Sequence, residues 1–270
     1  MITIAREPYL MTFFTLRLVA FCMVSLVTWA ACSSSQSAEP DSRVFELRVY
    51  YAAEGKLDAL HARFRDHTMK LFEKHGIENI GYWVPIENPE RKLVYFLAYP
   101  SRDAREQSWK AFMADADWQK AYKASEVDGV LVAKVESKFF QATDFSPAIK
   151  AEATGDRVFE MRSYTASPGN LKALESRFRD HTCALFEKHG INNVAYWALM
   201  SDQAGADKSL VYIVAHKSQE AAKESFAAFG KDADWVTAKK GSEEKAGGSL
   251  TIPNGVQSLF MHATDYSPIR

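Results

Sequence analysis

Along residues 45–51 apolar and polar positions alternate. Phe45, Leu47 and Val49 fall on one side of an extended chain, and Glu46, Arg48 and Tyr50 on the other. The segment is read as a β-strand. From Lys56 onward the period changes: Leu57, Leu60, Phe64, His67 or Thr68, and Leu71 recur at three- and four-residue steps, the stripe of an amphipathic helix. Gly76 after His75 supplies its stop. Residues 80–84 and 93–99 read as two further strands separated by an Asn-Pro turn, and Ser101 is placed to cap a second helix carrying Trp109 and Phe112. A less regular stretch follows, with a last strand expected near 135–142. The order strand, helix, strand, strand, helix, strand is the ferredoxin-like split βαβ unit, an α+β fold.

The whole pattern then repeats. Val44-Phe45-Glu46-Leu47-Arg48-Val49-Tyr50 returns as Val158-Phe159-Glu160-Met161-Arg162-Ser163-Tyr164. Residues 63–77 return as 177–191 with two differences in 15. Tyr82-Trp83 matches Tyr196-Trp197, Tyr95 matches Tyr212 after a short insertion, and Asp115-Ala116-Asp117-Trp118 matches Asp232-Ala233-Asp234-Trp235. Copies of this size are domains; solenoid units are shorter, about 20–50 residues. The expected division is 44–147 and 158–270, with a linker at 148–157. A half-polar sheet with helices on one side needs a cover for its other face. The second copy on the same chain is the obvious partner, held near it at an effective concentration of order millimolar. An internal pseudo-dimer of the two sheets is therefore expected.

The N-terminus is read as an address. Residues 18–31 are apolar and uncharged and follow Arg17, which fits a signal segment and is short for a membrane span. The run ends at Trp29-Ala30-Ala31-Cys32 before a Ser-rich stretch. Small residues before a cysteine resemble the lipobox of bacterial lipoproteins, although Trp29 stands where Leu is usual. A lipoprotein signal over 1–31, a tether over 32–43 and lipidation at Cys32 are expected, with ordinary secretion and then an uncleaved membrane anchor as the alternatives. All three place the mature protein outside the cytoplasm, in the cell envelope or secreted.

Glu46-Leu47-Arg48-Val49-Tyr50, the Arg63-Phe64 and His67 helix ending in Lys74-His75-Gly76, and the following Tyr82-Trp83, all repeated in the second copy, resemble the NIPSNAP domain. The resemblance covers most of 44–147 and 158–268. It implies a dimeric α/β barrel, within a superfamily that also holds small monooxygenases, haem-handling enzymes and stress-induced proteins. It implies no reaction.

The alternation of the first strand predicts that Phe45, Leu47 and Val49 pack on the helices. Glu46, Arg48 and Tyr50, with Glu160, Arg162 and Tyr164, should then face the space between the sheets. Tyr82, Tyr95, Tyr196 and Tyr212 are expected on the same side, and Trp83 in the core. Two readings of the charged rows stay open. Burying a Glu and an Arg costs several kcal/mol per ion unless they pair, so they can form a ladder that fixes the register of the sheets. Alternatively, the barrel lumen binds a small hydrophobic or anionic molecule, the arginines holding its anionic or carbonyl group while the tyrosines shape its pocket. His67 and His181, beside the helical stripe, are candidates for acid–base work and otherwise edge-of-core histidines. His75 and His189 suit helix C-termini. Trp118 and Trp235 read as core anchors, and Cys183, opposite Met69 of the first copy, as an apolar filler.

The composition narrows the function. The 270 residues are 47% apolar with a net charge of −1, which gives no electrostatic reason to expect nucleic acid. No metal-ligand spacing, phosphate loop or nucleophile elbow occurs, so no metal or cofactor is expected. A binding module, anchored to the membrane by its lipid, stands first. A cofactor-free oxygenase or isomerase acting on a carbonyl or aromatic compound in the lumen stands second. Residues 239–255, Gly-rich and longer than their counterpart, read as slack, and oligomers beyond the internal pair are left open.

Overall fold

The alternating segment at residues 45–51 forms strand β1 (Val44–Ala52) in a computed structural model that describes residues 1–3, 41–153 and 155–270. The apolar leader and Cys32 lie outside the described residues. β1 is flanked by β3 (Lys92–Tyr99) and β4 (Val132–Ala142), and β2 (Glu78–Pro85) pairs with β3, all antiparallel. The second copy repeats this with β5 (Val158–Ala166), β6 (Asn192–Leu199), β7 (Ser209–His216) and β8 (Thr251–Ala263).

Neither four-stranded sheet keeps a free edge. β2 pairs with β8, Trp83 opposite Ala263, and β4 pairs with β6, Ala142 opposite Trp197. The order β1-β3-β2-β8-β5-β7-β6-β4 closes into one barrel, which removes the exposed edges that otherwise invite aggregation. An eight-stranded barrel is just wide enough for its own side chains to fill. Here aromatic rings from both copies fill it. Phe96 stacks on Trp197 at 4.2 Å between ring centroids, Phe45 lies 5.9 Å from Trp197, and Trp83 lies 5.8 Å from Phe159.

Each copy clads the outside of its own strands with helices. In the first, α1 (Leu57–Arg63), a π-helical turn (Phe64–Thr68) and α2 (Met69–Lys74) follow one another without a break. The Thr68 hydroxyl donates to the Arg63 carbonyl at 3.1 Å, a reach of five residues that suits the wider π turn. Thr182 repeats the bond to Arg177 in the turn Phe178–Thr182 between α5 (Leu171–Arg177) and α6 (Cys183–Lys188). The predicted cap is present: Ser101 Oγ accepts from Ala104 N at 3.1 Å at the start of α3 (Arg102–Ala114).

The stretch expected to be irregular holds a further helix, α4 (Ala116–Ser125), and the second copy has α7 (Gln219–Lys231) followed by α8 (Ala233–Ala246). Asp115 and Asp232 are the N-caps of α4 and α8, each accepting from the amides two and three residues on. The Asp-Ala-Asp-Trp motif is thus a helix start. Residues 239–255 are likewise ordered and not slack: α8 runs through Gly241, ends at Gly247 in the left-handed region, and the chain re-enters the barrel as β8. Gly247 serves there because φ of +73° costs it no Cβ clash.

After its last strand each copy reaches across to the other. Thr143 N donates to Tyr196 O and Tyr196 N donates to Ser146 Oγ, both at 3.0 Å. Thr264 with Tyr82, and Tyr82 with Ser267, repeat the exchange at 2.9 Å.

Candidate functional site

β1 turns its faces opposite to the expectation. Phe45 and Leu47 line the barrel interior, whereas Glu46, Arg48 and Tyr50 lie beneath the helices. The same inversion holds for Glu160, Arg162 and Tyr164. Tyr82, Tyr95, Tyr196 and Tyr212 sit under the helices too, and Trp83 and Trp197 point into the barrel. The physical reason is the supply of partners. The interior is closed by strands on every side and filled with rings, so a charge there would stay unpaired. The sheet–helix layer offers polar side chains from the helices and phenols from β3.

In the first copy this layer forms a dense polar cluster. Arg48 donates from Nη1 to Glu46 Oε1 at 2.5 Å, from Nε to the Tyr95 hydroxyl at 3.0 Å and from Nη2 to Tyr50 at 3.3 Å. Its guanidinium lies 4.4 Å from the Trp109 ring centroid. Glu46, fully buried, also accepts from Arg105 of α3 through both oxygens, at 3.0 and 3.1 Å, and from Tyr99 and Ser137. Burial opposes the Glu46 charge, yet the hydrogen bonds from Arg105 and the field of Arg48 hold its carboxyl below the ordinary carboxylate range. Burial likewise opposes the Arg48 cation, and the Tyr95, Tyr50 and Glu46 oxygens more than offset it, holding the guanidinium above its usual value. Tyr82 and Tyr95 are driven upward by burial, so their phenols remain proton donors at neutral pH.

Between this cluster and α1, α3 and α4 lies a cavity of about 300 Å³. Arg48, Tyr50, Phe64 and Trp109 line its floor, Arg63 and Glu126 stand on one wall, and Met113, Val130 and Val135 form an exposed apolar rim. Arg63 is buried, donates from Nη1 to Ser125 Oγ (3.2 Å) and Glu126 Oε1 (3.1 Å), and is flanked by the rings of Trp118 and Tyr122 at 5.5 and 5.2 Å. Arg63, Arg105, Glu126 and Val130 were not among the site residues expected from the sequence, although Arg63 belongs to the repeated helix motif. For Arg63 a signal existed: it follows Leu60 by three residues, on the buried stripe, in both copies.

The second copy keeps the frame and changes the contents. Arg162 pairs with Glu160 at 2.6 Å, but Tyr99 is replaced by His216, Arg105 by Ala222, Trp109 by Phe226, Met113 by Gly230 and Tyr122 by Lys239. His216 Nε2 lies 3.1 Å from Glu160 Oε2. Tyr212 bonds Tyr164 at 3.2 Å, leaving Arg162 Nε without a partner among the described residues.

The histidines sort differently from each other. His67 and His181 are exposed, outside the cavity of the first copy. His75 and His189 turn their rings from their own helix ends toward Asp115 and Asp232, each at 2.7 Å, tying α2 to α4 and α6 to α8. Trp118 and Trp235 pack on Phe112 and Phe229, each at 4.4 Å. Burial pushes the Cys183 thiol up to about 11, as a filler's would be. Among the described residues no group of three His, Cys, Asp or Glu side chains converges as a metal would need.

A closed barrel of two fused βαββαβ units, with a polar cluster between sheet and helices of each, defines a single-chain dimeric α/β-barrel protein. The NIPSNAP family model matches residues 45–147 and 159–268, and the chain belongs to the NIPSNAP family. A NIPSNAP family protein from Agrobacterium tumefaciens str. C58 is 26% identical over 39% of this chain and 92% of its own, with a TM-score of 0.35. A proposed monooxygenase from Lactobacillus acidophilus NCFM shares the fold over 84% of this chain and 98% of its own, at 10% identity and a TM-score of 0.51. A second, from Fusobacterium nucleatum, does so over 82% and 92%, at 9% identity and 0.52. Among curated proteins no relative matches.

Proposed function

We propose that this NIPSNAP-family protein is exported, anchored by a lipid at Cys32, and binds a small molecule in the sheet–helix cavity of its first copy. The observation that carries the binding reading is the cavity itself: about 300 Å³, apolar at its rim, with a buried arginine at its floor. That volume is at the small end of ligand pockets, roughly 300–1,000 Å³. The composition also fits, because a few converging polar groups within apolar walls orient a ligand. The barrel interior is instead occupied by rings such as Phe96 and Trp197, stacked at 4.2 Å. The uncharged run before Cys32 supports export and anchoring.

The test of binding is a thermal-shift screen of residues 33–270 against a broad metabolite set. A ligand at a hundred times its dissociation constant stabilises by about 2.7 kcal/mol, and a hit should be lost in Val130→Trp, which fills the rim. Labelled palmitate should enter the wild-type chain in cells and not Cys32→Ser. An enzyme reading has one support, the fold shared with the two proposed monooxygenases. In that reading Arg48 would hold an oxyanion in this cavity, and consumption of oxygen with an aromatic ligand found in the screen would establish it.

A further inference from the structure

The charges around the first cavity do not balance. Glu46 is shared by two guanidinium groups, Arg48 at 2.5 Å and Arg105 at 3.0 Å, and the wall pair Arg63–Glu126 at 3.1 Å is neutral. Three arginines thus meet two carboxylates, and the other acid that touches Arg105, Glu106, lies out in solvent. Arg105 is only partly buried and its second carboxylate is exposed, so within the layer the balance stays positive and favours a further anion. The spare donor is also identifiable. Arg63 makes both of its hydrogen bonds from Nη1, and its Nε, on a side chain only 4% exposed, has no partner among the described residues. Nε and Nη2 form the guanidinium edge that takes a carboxylate or sulfonate through two parallel bonds. Trp118 and Tyr122 flank that guanidinium, and Trp109, Phe64 and Tyr50 line the same cavity, ring surfaces suited to a flat apolar body.

The second copy also leaves an Nε without a partner among the described residues, that of Arg177, but it lacks the excess. Ala222 replaces Arg105, so Glu160 faces Arg162 and His216 with no third guanidinium. Gly230 and Lys239 replace the apolar Met113 and the ring of Tyr122 at the mouth.

We infer that the first cavity takes one aromatic monoanion per chain, its acid group on the Nε edge of Arg63 and its rings against Trp109, and that the second copy has lost this site. The inference rests on the binding reading above and narrows it to a ligand class and a stoichiometry.

Two fluorescent probes with the same ring system separate the two. 8-Anilinonaphthalene-1-sulfonate carries the anion, and N-phenyl-1-naphthylamine does not. Titrated against the purified protein, the sulfonate should bind at one per chain and at least tenfold more tightly than the neutral amine. Arg63→Gln should abolish that preference, while Arg177→Gln, its counterpart, should preserve it. Val130→Trp, an exposed substitution that leaves the buried pair intact, should block the sulfonate and so replaces Arg63→Gln if that variant fails to fold. Equal binding of both probes, both blocked by Val130→Trp, would overturn the anion assignment and keep the binding site. Two equivalents of sulfonate per chain, one of them resisting Val130→Trp, would overturn the loss in the second copy. If neither probe binds, or if Val130→Trp blocks nothing, both the inference and the cavity as a binding site fall.

Discussion

Arg179 holds Asp144 through two hydrogen bonds, Nε to Oδ2 at 2.7 Å and Nη2 to Oδ1 at 2.6 Å, across the boundary between the copies. Arg65 and Asp265 repeat the clasp at 2.6 and 2.7 Å. In each case the tail after the last strand of one copy is held by the π-helical turn of the other. Beside each ion pair an aromatic ring docks: Phe145 against Tyr196 at 5.4 Å, and Tyr266 against Tyr82 at 5.5 Å. Both ion pairs are exposed, and exposed pairs contribute about 0–1 kcal/mol. The rings should hold the tails. Arg179→Ala is expected to lower stability by less than about 1 kcal/mol, and Tyr266→Ala by about 2 kcal/mol or more. Urea unfolding of the two variants compares them directly.

The two clasps differ at one position, with a consequence for pH. Next to Tyr266 stands His61, its Nδ1 at 2.7 Å from the hydroxyl, whereas next to Phe145 the corresponding residue is Glu175. Burial, aided by Arg65, lowers the pKa of His61, while Asp58 and Asp265 act weakly the other way. A histidine whose folded pKa is depressed is favoured neutral in the native state. Its contribution is complete above the unfolded value, about 6.5, and is lost as pH falls through that value. Burial raises the pKa of Glu175, so it destabilises at neutral pH and does so less as acid protonates it. Between pH 7 and 5 the wild-type protein should therefore lose stability through His61, and His61→Gln should flatten that part of the profile. Thermal melts across the range decide it.

The Glu46 cluster sets the response to stronger acid. Its folded pKa lies below the unfolded value, so its stabilisation is present above about 4.3 and fades as pH falls further. Removing the carboxylate leaves the buried Arg48 beside the partly buried Arg105 with no acid between them. Breaking such a cluster costs about 3–5 kcal/mol, so Glu46→Gln should destabilise strongly at pH 7, with the difference from wild type narrowing toward pH 3. Glu160→Gln strands a single guanidinium and should cost less. Calorimetry of both variants at the two pH values measures the contrast.

Much of this architecture could be read from the chain because the copies repeat. Alternation gave β1 its two faces, the three-and-four spacing gave α1 and α2 their buried stripe, and Ser101 its cap. Which face of β1 turns inward was not legible from alternation alone. That depends on whether the helices or the facing sheet supply partners for Glu46 and Arg48, and the partner, Arg105, lies on another element 59 residues away. Helix α4 was missed because its Asp115 cap is also a turn signal. The cavity was invisible for a related reason: it is defined by the gap between α1, α3 and α4, and no local pattern records a gap.

Gly81 tests how tightly the barrel is filled. A Cβ built there would stand 2.2 Å from the Trp83 ring, which folds back over the glycine. Such contacts do not occur, so the ring would have to move within an interior already occupied by Phe159 and Met261. The second copy carries Ala195 at this position, and its Trp197 stacks flat on Phe96 instead. The two tryptophans therefore occupy non-equivalent places although their sequence positions match. Gly81→Ala should cost about 1–3 kcal/mol by overpacking and perturb the Trp83 near-ultraviolet signal. Ala195→Gly should cost about 0.5–1 kcal/mol, the ordinary backbone effect, and leave the tryptophan spectrum unchanged. Equal losses in the two variants would mean that Trp83 has a second resting place and that the interior is less completely filled than its burial indicates.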